Sequence, residues 1–72
     1  MTRSIMLNGI KCEVSKAEAT EAEALRLAMS AGYNNPRYAQ QRFNDWYASA
    51  SNESMRNRRY SVGIALRLEV NS

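Results

Sequence analysis

Apolar and polar positions alternate near both ends of the chain and recur at helical spacing between them. Near the start, Ile5-Met6-Leu7 and Ile10-Lys11-Cys12-Glu13-Val14 flank Asn8-Gly9. Asn-Gly between two apolar runs predicts a β-hairpin with a type I′ turn, whose two central residues both need φ > 0. The register follows, with Leu7 opposite Ile10, Ile5 opposite Cys12 and Arg3 opposite Val14. Ile5, Leu7, Ile10, Cys12 and Val14 then share one face.

Ser15 and Glu18 have capping-box spacing and open a helix. Glu18, Glu21 and Glu23 suit the positive end of its dipole. The helix is expected to run to about Ala31, with Gly32 ending it in a left-handed conformation. Ala17, Ala24, Leu27, Ala28 and Ala31 form its apolar stripe, widened by Ala22, Leu25 and Met29. After Gly32-Tyr33-Asn34-Asn35-Pro36, Asn35 caps a second helix with Pro36 in its first turn. Ala39, Phe43, Trp46, Tyr47 and Ala50 are its core face, with Trp46 the largest expected core side chain. Arg37, Gln40, Gln41 and Asn44 are its polar face, flanked by Tyr38 and Arg42.

Ser51–Arg59 lacks a period and reads as a loop, with room for one helical turn. From Tyr60 to Val70 the alternation is strict, which predicts a strand with one buried face. The expected fold is α+β: a ββααβ order, one domain over residues 1–72, and a three-stranded antiparallel sheet with both helices on one face. The last strand is longer than its hairpin partners. Its surplus edge invites pairing, so a homodimer through that strand is expected.

Composition narrows the chemistry. Seventy-two residues hide only about 60% of the unfolded surface, which also favours a dimer. Cys12 is the lone cysteine and there is no histidine, so neither a disulfide nor a metal site is expected. Cys12 reads as a buried structural thiol rather than a nucleophile. With no histidine base, no glycine-rich phosphate loop and dispersed carboxylates, no enzyme and no cofactor are expected. No apolar run has signal-peptide or membrane-span length, and a single thiol suits a reducing compartment, so the expected location is the cytoplasm.

The net charge is +3 and unevenly spread. Lys16–Ala31 holds Lys16 and Arg26 against Glu18, Glu21 and Glu23. Arg37–Arg59 holds Arg37, Arg42, Arg56, Arg58 and Arg59 against Asp45 and Glu53. This asymmetry points to an anionic partner. The helix–break–helix unit is compatible with a helix-turn-helix, with Ala28, Gly32, Tyr33 and Tyr38 in suitable places. Gln41 stands where an aliphatic is usual, so the match is partial. The expected function is a small nucleic-acid-binding regulator, DNA more than RNA. Arg37, Gln41 and Asn44 would touch bases, Tyr38, Gln40 and Arg42 would belong to the same nucleic-acid-binding face, and Arg56, Arg58 and Arg59 would hold phosphates.

The alternative is an inhibitor or adaptor docking on a protein or ribonucleoprotein complex, with Met6, Leu25 and Met29 as exposed apolar contacts. Phage proteins that block a host enzyme or defence complex are of this type: tiny, mixed α/β and without a motif.

Overall fold

A computed structural model describes residues 1–70 of the chain. Two strands and three helices follow in the order ββααα: β1 Thr2–Leu7, β2 Ile10–Ser15, α1 Lys16–Ala28, α2 Pro36–Ala48 and α3 Glu53–Ala65. The α+β class and the antiparallel hairpin agree with the sequence. The third strand is absent among the described residues, and the expected ββααβ order is wrong.

The hairpin forms as its turn chemistry dictates. Asn8 and Gly9 have φ 51° and 81°. Leu7 pairs with Ile10, Ile5 with Cys12 and Arg3 with Val14. Leu7, Cys12 and Val14 enter the core, whereas Ile5 is half-buried and Ile10 stays exposed.

At the start of α1 the Glu18 amide donates to Ser15 Oγ at 3.2 Å, and the Ser15 amide donates to Glu18 Oε1 at 2.8 Å. Both halves of the capping box are therefore made. The helix ends at Ala28 rather than near Ala31. Asn34 (φ 45°), not Gly32, takes the left-handed conformation in the connection. The buried stripe is Glu18, Ala22, Leu25 and Ala28. The expected centre line was one position off: Ala17, Leu27 and Ala31 are exposed. Leu25, proposed above as a surface contact, is fully buried.

Asn35 caps α2 through a Tyr38 amide bond, with Pro36 in the first turn as expected. Ala39 and Phe43 are its buried residues, and Trp46 and Tyr47 lie half-buried at the core edge. Phe43 rather than Trp46 is thus the central aromatic. The Phe43 ring meets Trp46 edge-on at 6.1 Å and stacks on Tyr47 at 5.7 Å.

The largest correction is α3. Asn52 accepts from the Met55 amide at 2.8 Å, Glu53 lies in the first turn, and the helix continues through Ala65. The supposed loop 51–59 and most of the supposed strand 60–70 are one helix. The two readings share Val62 and Leu66: four residues apart, they fit period 2 as well as helical spacing. Three facts decide for the helix. The Asn52 cap is made, the Arg-rich run favours helix, and a helix satisfies its own backbone where a short hairpin could not. Helix α3 ends in a Schellman motif, with Leu68 N–H bonding Gly63 O and Arg67 N–H bonding Ile64 O. The surplus strand edge, and with it the basis for a dimer through that strand, is gone.

Gly63 lets the Phe43 ring approach the α3 backbone closely. A Cβ there would overlap the Phe43 ring and lie 2.8 Å from a Val70 methyl.

Candidate functional site

The side chains expected to read nucleic acid divide sharply by their bonds. Arg42 reaches across to α1, donating through Nη2 to Glu21 Oε1 at 2.9 Å and through Nε to Glu21 Oε2. It also donates to Tyr38 Oη at 2.8 Å. Hydrogen bonds from its guanidinium to Glu21 and Tyr38 raise its pKa further. Gln40 bonds the Glu69 backbone both ways, donating at 2.7 Å and accepting at 2.8 Å, and also donates to Asn44 Oδ1 at 2.8 Å. Tyr38, Gln40, Arg42 and Asn44 are therefore engaged within the molecule.

The arginine cluster behaves similarly. Arg58 Nε donates to the buried Glu18 carboxylate at 2.7 Å, and its Nη1 donates to Ser54 Oγ at 2.8 Å. Burial alone would raise the Glu18 carboxyl. The Arg58 guanidinium and the Ser15 amide outweigh that and hold it below its ordinary value. Arg59 is buried and, among the described residues, pairs with no carboxylate. It donates to Trp46 O and to Ser49 Oγ, and lies 4.9 Å from the Trp46 ring centroid. It thus places a cation on the last carbonyls of α2, where the helix dipole is negative.

Arg37, Gln41 and Arg56 remain exposed, and their side chains make no hydrogen bond among the described residues. Arg37 and Gln41 lie one turn apart near the start of α2. Gln41 borders a shallow depression with Tyr38, Arg42 and Asp45. Arg56 lies on another helix.

A second surface was hidden by the strand reading. On α3, Arg56, Tyr60 and Ile64 recur at i, i+4 and i+8 and share one stripe. Tyr60 is 44% and Ile64 49% exposed, although strict alternation had put both on a buried face. Strand β2 lies against this helix, and its Ile10 is 46% exposed. Asn8 Nδ2 bonds Ala65 O at 3.2 Å, and Cys12 Sγ lies 3.8 Å from Ser61 O, so the hairpin tracks the 61–65 edge of α3. Once α3 is read as a helix, the four-residue spacing is visible in the sequence.

Cys12 is buried, and burial pushes its thiol up, away from thiolate reactivity. Among the described residues no helix is long and apolar enough to cross a membrane. Compared with protein-family models, curated proteins and solved structures, the chain matches none.

Proposed function

We propose that this chain is a non-catalytic binding domain that docks on a protein or ribonucleoprotein partner through α3 and the adjoining hairpin. One observation carries the reading: Tyr60 and Ile64 stay about half exposed on α3, in line with Arg56, and Ile10 is about half exposed on the neighbouring β2. Tyrosine and arginine beside aliphatic surface are what protein interfaces concentrate at their anchors. The inward engagement of Arg42, Arg58 and Arg59 supports it, because Glu21 and Glu18 offset the first two and burial keeps the third from a phosphate backbone.

The test compares two sets of substitutions. Affinity capture from host lysate with the wild type should retain a defined partner. Ile64→Asp or Tyr60→Ala should release it, and Arg37→Ala or Gln41→Ala should not. Titration against mixed-sequence duplex at ~50 mM salt should show no binding, since even non-specific binders hold DNA there.

Nucleic-acid binding by α2 is the second reading, favoured by the free Arg37–Gln41 pair at its start. It requires duplex binding that Arg37→Ala or Gln41→Ala weakens and Ile64→Asp leaves alone.

A further inference from the structure

The hairpin keeps an open outer edge. Leu7 and Ile10 flank the two-residue turn, and in such a hairpin the flanking pair exchanges both backbone hydrogen bonds. Bonded and non-bonded pairs alternate from there, so Ile5–Cys12 and Arg3–Val14 are the other bonded pairs. The backbone N–H and C=O groups of Ser4 and Met6 on β1, and of Lys11 and Glu13 on β2, therefore point away from the hairpin. Those of Ser4 and Met6 have no hydrogen-bond partner among the described residues. The two edges differ. Proteins blunt exposed edges with charge, proline, bulges or a covering element. On β2 the outward positions hold the charged Lys11 and Glu13, and α3 packs against this strand. On β1 they hold Thr2, Ser4 and Met6, all uncharged. The strand has no proline and pairs with β2 residue for residue from Thr2 to Leu7, without a bulge. Met6 is exposed and Ile5 only half-buried.

We propose that β1 pairs antiparallel with β1 of a second copy of this chain, joining two hairpins into one four-stranded sheet. Outward N–H and C=O groups on extended backbone are complementary to another extended strand. The ladder needs outward residues to meet outward residues, and the register centred on Ile5 does so, with each Ser4 opposite the second copy's Met6. It sets the two Ile5 side chains face to face. Cys12, Ile5 and their two counterparts then form one apolar row on the core side, covering the exposed part of Ile5. No like charges are opposed, since each Arg3 lies across from the second copy's Leu7. On the outer side each row runs Lys11, Met6, Ser4, Glu13, with opposite charges at its ends. The register centred on Ser4 is poorer, because its central row carries a glutamate at both ends. A two-stranded sheet is marginal by itself, and adding strands strengthens it. The segment Arg3–Leu7 falls far short of the roughly 20–30 residues a side of a standard interface, so the dimer is weak and concentration-dependent.

Sedimentation of the full chain up to about 1 mM should show a monomer–dimer equilibrium. Amide exchange followed by NMR should slow at Ser4 and Met6 as concentration rises, while Lys11 and Glu13 on the opposite edge stay fast. Ser4→Pro removes an outward N–H and no β1–β2 bond, so the hairpin keeps its own ladder. It should weaken dimerisation about tenfold or more, because a ladder bond is lost on each side of the two-fold axis. Lys11→Pro makes the same change on the other edge and should leave dimerisation unaltered. Ile64→Asp should leave it unaltered too, so the β1 edge and the α3 docking surface fail separately. A chain that stays monomeric at the top of the concentration range would overturn the assignment. So would Ser4 and Met6 amides that exchange equally fast throughout that range, or equal weakening by a folded Lys11→Pro. Slowing of those amides only when the captured partner is added would give the edge to that partner's strand, and overturns it as well. Where Ser4→Pro does not fold, the wild-type exchange pattern decides alone.

Discussion

Where α3 meets α2, Gly63 has no room for a Cβ against Phe43, and the Arg59 guanidinium lies over the Trp46 ring. Where α1 meets the other helices, the outer contacts are charged: Glu21 with Arg42 and Glu18 with Arg58. The first seam depends on shape, so salt and pH should barely touch it. The second depends partly on ionisation and should respond to both. In a domain this small, the core alone has little reserve, so the way each helix is attached decides which perturbation releases it.

The most severe way to break the shape-dependent seam is Phe43→Ala. It should cost about 3–5 kcal/mol, because the cavity lies between elements that cannot all close on it. Loss of cooperative denaturant unfolding would show this; a variant that unfolds like the wild type would mean that the seam tolerates voids. Gly63→Ala is next, at about 1–3 kcal/mol of overpacking. Combining it with Phe43→Leu should recover part of that loss, and strict additivity of the two would show that they do not share the contact.

The charged seam is probed by Glu18→Gln. The Glu18 carboxyl is held below its ordinary value in the folded state. Its stabilising contribution is therefore fully present above the unfolded pKa of about 4.3 and is lost as pH falls through the lower folded value. Glu18→Gln should destabilise near neutral pH and flatten the loss of stability below about pH 5, read from melting temperature against pH. An unchanged acid slope would place the acid sensitivity elsewhere. Arg42→Ala should have the smallest effect, about 0.2–1 kcal/mol, as its partly exposed pair is screened by water. That difference should shrink further in high salt, a trend Gly63→Ala should not follow.

The hairpin and helix caps were legible because their causes are local. Asn8-Gly9, Ser15 with Glu18, and Asn35-Pro36 specify their own conformations within a few residues. Helix α3 was illegible for a related reason. Val62 and Leu66 satisfy both periods, and the alternation around them masked the helix that Asn52 caps. The roles of the arginines lay further out of reach. Nothing beside Arg42 in the chain names Glu21 as its partner, and nothing near Arg59 announces the end of α2. Such residues look like a basic binding face until the helices are brought together. The Arg56, Tyr60 and Ile64 stripe has the opposite history, since it surfaces only after the strand is abandoned.

The Gln40 side chain carries one further consequence. Its primary amide bonds both the N–H and the C=O of Glu69, as a neighbouring strand would. Residue 69 thus has a partner strand one peptide unit long, supplied by a helix. Its amide should exchange with deuterated solvent slowly, as in a sheet, although the nearest sheet residues belong to the hairpin. Gln40→Ala removes the acceptor of the Glu69 amide, and should return that amide toward the exchange rate of an open chain while the hairpin amides stay protected.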